Sequence, residues 1–448
     1  MGAGKSTLGR RVARHLGRPF VDLDAEIERH AAASIPTIFA TRGEVEFRAI
    51  EQKLACDALD SPIPAVLSLG GGAMVAKQTA RKLRERALTV LVDVDVDEAW
   101  RRARRSGRRP LAQTQIAFRE LYDQRRPLYE EAADARAEDA DGIVLAAAGI
   151  AVAEGSYRSL FVPSASEVVI DERVAAIHPP PTGPPLHKVN GKTLDACDHL
   201  WRALRLGRDG MLVAIGGGTT TDVAGYVAAT YLRGIAWTAV PTTLVGQVDA
   251  AIGGKTGIDL PEGKNLVGAF HWPDRTVVDP GVLTTLPELE HRNGLAEVVK
   301  TGLLAGEALW ELPEPDFVRR CAAFKAAVCL RDPRDEGERA MLNLGHTFAH
   351  ALETASSYEV PHGEAVALGL LAALRLSGLP DEAARVEELL RPRRPRVDPD
   401  VAWTALQRDK KARAGRVKLV LLEAPGKPRT GEDVPEQDVR RALAELIA

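Results

Sequence analysis

Apolar and polar positions change their spacing along this chain of 448 residues. Short apolar runs bounded by turn residues, at 20–23, 65–67, 89–93, 160–170, 211–215 and 236–240, are typical of buried strands. Amphipathic stretches such as 8–16 and 97–105 lie between them and predict helices. Beyond Pro280 the pattern becomes helical, apart from a strand-like run at 417–422. The alternation predicts an α/β protein whose C-terminal part is mainly α-helical.

Two breaks in this pattern suggest where the domains meet. The segment 146–149 is small and uncharged, and the helical pattern begins after residue 280. We therefore expect domains at 1–147, 148–280 and 281–448. The proline-rich run 178–185 is predicted to be a stiff surface loop.

Composition is that of an ordinary globular protein, with 45% hydrophobic and 27% charged residues. The net charge of -3, from 59 basic and 62 acidic residues, provides no overall basic field to hold nucleic acid. The four cysteines form no Cys-x-x-Cys pair, which argues against a disulfide framework and favours a reducing compartment. The N-terminus has no charged-then-apolar leader, and no apolar run is long enough to span a bilayer. We expect a cytoplasmic protein.

Histidines and glutamates in the C-terminal part have the spacing of a metal site. His346 and His350 are four residues apart, which places both imidazoles on one face of a helix. Glu297 lies in an apolar-periodic run, where a buried carboxylate needs a positive partner. His362 follows Pro361 and is expected on a loop. Two or three imidazoles with one carboxylate suit zinc with an open catalytic position. Spacing leaves open which histidine binds metal and which transfers protons, and each one alone is more often an ordinary helix histidine.

The N-terminal run from Met1 to Thr7 contains most of a phosphate-binding loop, G-x-x-x-x-G-K-[ST]. Gly4, Lys5 and Ser6 would form its core, with backbone amides around an anion, Lys5 on the terminal phosphates and Ser6 on Mg²⁺. The opening glycine and the strand that feeds such a loop would lie before Met1. We therefore expect the natural start of translation to lie upstream.

Two further glycine turns follow predicted strands. The turn 216–222 leads from a strand into a helix, the context in which glycines admit a pyrophosphate. The triple glycine 70–72 would let a ligand approach the backbone closely. Asp22 and Asp24 are expected at the end of a strand, a usual place for ligand groups, although a helix N-cap is the alternative.

Seven ordered segments resemble 3-dehydroquinate synthases over residues 152–448: 241–244, 247–249, 253–257, 262–270, 294–300, 343–350 and 362–364. The resemblance implies a Rossmann-like α/β NAD-binding domain followed by an α-helical metal-binding domain. It also implies conversion of 3-deoxy-D-arabino-heptulosonate 7-phosphate to 3-dehydroquinate and phosphate, with catalytic NAD and Zn²⁺ or Co²⁺.

The same resemblance assigns roles to residues of this chain. It implies that the metal ligands are Glu297, His346 and His362, that His350 transfers protons, and that further catalytic residues are Lys255, Lys300 and Asn265. The implied NAD contacts are Gly218, Thr219, Thr220, Thr221, Asp222, Thr242, Thr243, Lys255, Lys264, Val282, Leu283, Thr284 and Thr285. The implied substrate contacts are Arg233, Asp249, Lys325, Arg339, Asn343 and one of Lys410 or Lys411.

Residues 1 to about 145 resemble shikimate kinases, which implies a P-loop kinase-like domain with an incomplete parallel sheet. The resemblance implies ATP at Gly2, Ala3, Gly4, Lys5, Ser6 and Thr7, with Mg²⁺ on Ser6, Lys5 as a catalytic residue and Arg109 over the ATP. It places shikimate on Asp24, Arg48, Gly71 and Arg125. In that fold the strand before the loop is central, so its absence would leave neighbouring strands unpaired and the core open. The stretch 108–129 is predicted to be polar and mobile.

These observations predict a bifunctional shikimate-pathway enzyme with small-molecule substrates, 3-dehydroquinate synthase and shikimate kinase in one chain. The alternative is another NAD- and metal-dependent sugar-phosphate cyclase, or a polyol dehydrogenase, with a non-catalytic nucleotide-binding module at its N-terminus. No nucleic-acid or membrane partner is expected, and the sequence is compatible with a homodimer.

Overall fold

The computed structural model describes residues 2–106, 114–153, 166–180, 182–409 and 416–448. The chain forms two compact units, Met1–Ala148 and Gly149–Ala448. The α/β class predicted from the sequence is confirmed in both of them. No helix in the described ranges has the length and apolar character needed to cross a membrane.

The first unit contains short strands between helices, as the alternating pattern predicts. Its strands are β1 (Phe20–Asp22), β2 (Val66–Ser68), β3 (Val90–Val92) and β4 (Ala135–Ala137). Its helices are α1 (Lys5–His15), α2 (Leu23–Ala31), α3 (Ile35–Asp60), α4 (Lys77–Arg86), α5 (Val96–Ser106), α6 (Gln115–Ala132) and α7 (Ala140–Ala147). Strand β1 pairs with β2 in parallel, Phe20 opposite Val66, and β3 pairs with β4, Val90 opposite Ala135.

The two sheets of this unit do not join: among the described residues, β2 and β3 have no strand between them. A cavity of about 410 Å³ lies there, lined along its sides by residues 66–68 and 90–92. Apolar side chains of α1, its C-cap residue and α3, namely Val12, Leu16 and Leu59, complete its walls. In the described part of this unit, the facing edges of β2 and β3 are unpaired and a cavity lies between them, as expected.

Two local predictions for this unit were wrong in part. Residues 108–113 of the segment expected to be polar and mobile lie outside the described residues. The segment is helical from Gln115 onwards, and Thr114 caps this helix, α6, by accepting a hydrogen bond from the backbone N–H of Ala117. Asp22 ends β1 as predicted and also takes the N-cap position of α2, which was the alternative, whereas Asp24 lies beyond the strand in the first helical turn. Negative charge is favourable there because the helix dipole is positive at its N-terminus.

The second unit begins with a six-stranded parallel sheet. Its strands, with the hairpin that follows, are β5 (Ile150–Val152), β6 (Ser166–Asp171), β7 (Leu186–Val189), β8 (Met211–Gly216), β9 (Ala236–Pro241), β10 (Lys255–Leu260), β11 (Gly263–Phe270) and β12 (Arg275–Val278). The sheet order is β5-β12-β9-β8-β6-β7, whereas β10 and β11 pair with each other in antiparallel fashion. Its helices are α8 (Glu172–Ile177), α9 (Leu194–Ala203) and α10 (Gly218–Thr230).

The rest of the second unit is mainly helical, as predicted. Its elements are α11 (Glu288–Ala305), α12 (Glu314–Arg331), α13 (His346–Ala355), α14 (His362–Leu376), α15 (Pro380–Leu390), α16 (Pro399–Asp409), β13 (Arg416–Ala424), β14 (Lys427–Pro435) and α17 (Glu436–Ala444). Helix α14 is apolar over most of its length and lies in the core with α11 and α13. The strand-like run at 417–422 belongs to an antiparallel hairpin.

His362 is not on a loop, contrary to the prediction. It is the first residue of α14, and Pro361 occupies the N-cap position with an extended backbone at φ -59° and ψ 142°. A proline next to a helix start costs no hydrogen bond, because the first amides of a helix have no partner within it. The helix therefore determines the direction of the His362 side chain.

Candidate functional site

Three side chains from three helices converge in the second unit. Nε2 of His362 on α14 lies 3.1 Å from Oε1 of Glu297 on α11, and Nε2 of His346 on α13 lies 3.5 Å from the same oxygen. One potential ligand atom from each residue falls within 4.8 Å of the other two. His350, one turn beyond His346, presents its ring edge to it at 5.6 Å between centroids. The predicted convergence is thus present in the structure.

Charge in this cluster is strongly perturbed. Burial and the neighbouring Lys300 ammonium lower the pKa of His346 to about 4, which keeps that imidazole neutral near pH 7. Burial would lower the pKa of His362 as well, but the carboxylates of Glu297 and Glu353 raise it to about 9. Burial would raise the pKa of Glu297, but Lys300 and the two histidines hold it well below its usual value. In this cluster the protonated imidazole of His362 lies between the carboxylates of Glu297 and Glu353. A bound cation would supply the positive charge in place of that proton.

The donor set fits a divalent metal ion. Two imidazoles and one carboxylate are the ligands of catalytic zinc sites that keep a position open for substrate. Glu297 and His346 already have the ligand form, anionic and neutral, and a bound ion would displace the proton of His362. Glu297 is fully buried, so its charge requires compensation by cations.

A chain of ion pairs extends from this cluster. Nζ of Lys300 lies 2.5 Å from Oε2 of Glu297 and donates to Oδ2 of Asp249 at 3.1 Å. Nζ of Lys325 contacts the other carboxylate oxygen of Asp249 and donates to its backbone carbonyl at 2.7 Å. Asp249 lies in a π-helical turn, Gly246–Ala250, and Lys325 on α12. Cationic groups that could hold a phosphate or a carboxylate are therefore positioned beside the metal ligands.

Other predicted residues surround this chain. Nζ of Lys255 on β10 lies 2.5 Å from Oδ2 of Asp335, and Lys192 contacts the side chain of Asn265 on β11. Arg339 and Asn343 both lie in a 3-10 turn, Glu338–Asn343, directly before α13. Lys410 and Lys411 lie outside the described residues.

The predicted dinucleotide loop lies at the carboxyl ends of β8 and β9. Gly217 caps α10, so residues 218–222 form the first turns of that helix, where free amides favour an anion. A Cβ on Gly217 would come 3.0 Å from Cγ2 of Thr243, so the two loops are closely packed. Thr242 is buried beside them, and Asp222 accepts from Lys192 at 2.8 Å. The residues 282–285 follow β12 in the 3-10 turn Pro280–Thr285.

Arg233 is not brought to this group within the chain. It lies exposed in the turn Tyr231–Arg233, after the C-terminus of α10 and before the start of β9. The dinucleotide loop and the metal ligands lie on the other side, at the N-terminus of α10 and the C-terminus of β9. A 13-residue helix is about 20 Å long at 1.5 Å per residue, which separates Arg233 from residues 218–222.

In the first unit, the predicted acceptor residues also converge. Gly4 has φ 75° and caps α1, which begins at Lys5, so Lys5, Ser6 and Thr7 form its first turn. A Cβ on Gly70 would meet Oδ1 of Asp24 at 2.9 Å, and one on Gly72 would collide with the guanidinium of Arg48. Nη1 of Arg125 donates to the carbonyl of Gly71 at 3.1 Å. Arg109 lies outside the described residues.

Comparisons with known proteins agree with both halves of this description. Residues 187–293 match the model of the 3-dehydroquinate synthase N-terminal region, residues 294–412 that of its C-terminal region, and residues 1–151 the shikimate kinase model. The 3-dehydroquinate synthase of Halorhodospira halophila is 44% identical over 274 residues, which cover 55% of this chain and 77% of that protein. That of Gloeobacter violaceus is 45% identical over 284 residues, 57% of this chain and 78% of that protein.

The chain belongs to the 3-dehydroquinate synthase family. With its shikimate kinase domain it is a bifunctional shikimate-pathway enzyme. A solved 2-deoxy-scyllo-inosose synthase, complexed with carbaglucose-6-phosphate, NAD⁺ and Co²⁺, superposes with TM-score 0.59 at 25% identity over 66% of this chain and 96% of that chain. The 2-epi-5-epi-valiolone synthase from Streptomyces hygroscopicus subsp. jinggangensis 5008, with NAD⁺ and Zn²⁺ bound, gives 0.58 at 26% identity over the same shares. Both solved synthases thus share the fold of the synthase unit, and each holds NAD⁺ and a divalent metal ion.

Three acidic residues in these sites were missed by the sequence analysis. Glu353, on α13 of the synthase unit, contacts His362 and Lys264, and Asp335 contacts Lys255. Glu51, on α3 of the kinase unit, is buried and accepts from Arg48 at 2.6 Å. Each lies in an apolar or turn-rich stretch. Only for Glu51 does the sequence contain an indication, because its spacing of three residues from Arg48 on a helix predicts an ion pair.

Proposed function

We propose that the synthase unit converts 3-deoxy-D-arabino-heptulosonate 7-phosphate to 3-dehydroquinate with release of phosphate. We further propose that the kinase unit transfers the terminal phosphoryl group of ATP to shikimate. The observation that carries the first proposal is the convergence of Glu297, His346 and His362 next to the ion-pair chain of Lys300, Asp249 and Lys325. Identities of 41–45% to named 3-dehydroquinate synthases favour this substrate over those of other cyclases.

The synthase residues divide into ion-holding and substrate-holding groups. When bound, NAD supplies a reversible oxidation of a substrate alcohol, and Zn²⁺ or Co²⁺ held by Glu297, His346 and His362 polarises its oxygen. Lys300 and Lys325, which both pair with Asp249, hold the anionic groups of the substrate, because ammonium groups form charge-assisted hydrogen bonds with phosphate and carboxylate oxygens. Lys255, Asn265, Arg339 and Asn343 orient the substrate, and one of Lys410 or Lys411 completes its binding.

We assign proton transfer to His350, which is exposed and one turn from the ligand His346. A histidine at the edge of the cluster can take a proton from substrate and pass it to solvent without leaving the site. The amides of residues 218–222 and the side chains of Thr242 and Thr243 face the dinucleotide, with Lys264 and the segment 282–285 at its periphery.

In the kinase unit, residues 2–7 hold ATP, Lys5 neutralises the transferring phosphoryl group and Ser6 ligates Mg²⁺. Asp24, Arg48, Gly71 and Arg125 bind shikimate, and we assign Arg109 to binding of the nucleotide. Arg48 and Arg125 offer guanidinium groups to a carboxylate, while the carboxylate of Asp24 suits a hydroxyl.

We also propose functional boundaries after residues 147 and 280, a cytoplasmic location and a homodimer. In a homodimer, Arg233 of one chain would contact the phosphate of the substrate that is bound by the other chain. Light scattering coupled to size-exclusion chromatography tests the assembly, and a single-chain mass at micromolar concentration would contradict it.

The decisive experiment assays the purified full chain for both reactions. With NAD and Zn²⁺ or Co²⁺, we expect phosphate release from 3-deoxy-D-arabino-heptulosonate 7-phosphate with no net NADH, and with ATP and Mg²⁺ we expect shikimate 3-phosphate. NADH accumulating in proportion to product would indicate a polyol dehydrogenase instead. ATP binding without turnover of shikimate would make the first unit a non-catalytic module.

A further inference from the structure

Glu353 is a buried carboxylate that faces the metal cluster from its outer side. It lies on α13, seven residues after His346, and its side chain is 4% exposed. Its Oε1 atom lies 3.5 Å from Nδ1 of His362 and accepts a hydrogen bond from Nζ of Lys264 at 3.0 Å. A carboxylate withdrawn from water this far needs such partners to remain charged.

The two ring nitrogens of His362 face two different carboxylates. Nε2 lies 3.1 Å from Glu297, which supplies a ligand atom to the cluster, and Nδ1 points to Glu353. An imidazole that binds a metal through one nitrogen carries its proton on the other, and a carboxylate accepting that proton determines tautomer and ring orientation. Glu353 is placed to do this for His362.

We propose that Glu353 is a positioning residue that holds His362 with Nε2 directed at the ion and, through the same oxygen, fixes Lys264 beside the site. Lys264 comes from β11, and its ammonium also lies 4.3 Å from the ring centroid of Tyr358. Glu353 thus joins the β10–β11 hairpin to a metal ligand. The inference rests on the proposed metal site but not on the identity of the substrate.

The test measures metal binding by the full chain rather than turnover. Zn²⁺ affinity is determined by competition with a chromogenic chelator, and the visible absorption of the Co²⁺-loaded protein reports the ligand geometry. Glu353→Leu removes the acceptor, and Glu353→Gln keeps an uncharged one. Glu364→Gln is the matched control, because Glu364 lies two residues after His362 on α14 and pairs with Arg393 away from the cluster.

Loss of an outer carboxylate typically weakens metal binding about 10- to 100-fold. We expect a loss of that size and an altered Co²⁺ spectrum for Glu353→Leu, a smaller loss for Glu353→Gln, and wild-type behaviour for Glu364→Gln. Lys264→Met should weaken metal binding less than Glu353→Leu does, since Glu353 still faces His362.

Wild-type affinity and spectrum in Glu353→Leu would overturn the inference. If that variant does not fold, the same result in Glu353→Gln overturns it. An equal loss in Lys264→Met would show that the hairpin, and not the Glu353–His362 contact, orients the ligand. Failure of the wild-type chain to bind either ion would instead refute the proposed metal site.

Discussion

The ammonium of Lys300 lies 2.5 Å from the carboxylate of Glu297, one turn earlier on the same helix, and both side chains are at most 2% exposed. An ion pair this deeply buried is costly to break, because the remaining charge has no water to solvate it.

Replacing Lys300 by Met should therefore destabilise the metal-free synthase unit by about 3–5 kcal/mol, the usual effect of orphaning a buried charge. Zn²⁺ should restore part of the loss, since the ion compensates Glu297. Thermal denaturation with and without Zn²⁺ measures this. Lys427→Met, at an exposed pair with Glu423, is the control and should change stability by no more than about 0.5 kcal/mol. Equal losses of stability in the two variants would contradict a buried ion pair between Lys300 and Glu297.

Removal of the metal should separate the two activities. Dialysis against a zinc chelator, followed by assay with Mg²⁺ alone, should lower synthase turnover about a thousandfold, because Lewis-acid stabilisation is worth several kcal/mol. Kinase activity should be unchanged, since its ion is Mg²⁺ brought with ATP. His346→Ala should reproduce the loss without chelation. Full synthase activity in the stripped protein would rule out the cluster as a catalytic metal site.

The metal-free enzyme should be most stable near pH 6.5. The pKa of His362 is raised to about 9, so its contribution is fully present below the unfolded value near 6.5 and is lost as pH rises through 9. The pKa of His346 is lowered to about 4, so stability also falls as pH drops below 6.5. The melting temperature, measured as a function of pH, reports both the acid limb below pH 6.5 and the alkaline limb above it. His362→Asn should flatten the alkaline limb, and an unchanged limb would place its origin elsewhere.

Arg48 should matter to the kinase and not to the synthase. Its guanidinium pairs with the buried Glu51 at 2.6 Å and abuts Gly72. Loss of a hydrogen bond to a charged group costs about 1.5–3 kcal/mol, so Arg48→Met should lower kinase kcat/KM for shikimate roughly 10- to 100-fold. Arg81→Met, at an exposed pair with Glu85, serves as the control. Equal kinase kinetics in both variants would remove Arg48 from the acceptor site.

The cavity between β2 and β3 should accept a strand. Fusing about six β-branched residues ahead of Gly2 should raise the melting temperature of the kinase unit, since strands of that length pair the open edges and fill the apolar space. The same fusion with central prolines should not, because proline cannot donate to a ladder. Identical melting curves for the two fusions would show that the gap is not a strand position.

Local sequence pattern predicted many of the elements and part of the chemistry of each site. The four-residue spacing of His346 and His350 placed both on α13, and the glycine turn after β8 opened α10 as expected. These features depend on residues close in the chain, whose periodicity and turn preferences are encoded locally. The resemblance to two enzyme families is recognisable from the sequence for the same reason, because it rests on contiguous motifs.

Tertiary packing determines the start of α14 and the partners of the buried charges, which no local sequence pattern contains. Pro361 predicts a loop at His362, but the packing of α14 in the core makes this position the start of a helix. Glu353 acquired its partners from α14 and from β11, 89 residues away in the chain from Lys264. A buried carboxylate and its cation are matched by three-dimensional proximity in a medium of low polarity, so only the folded chain determines which charge compensates which.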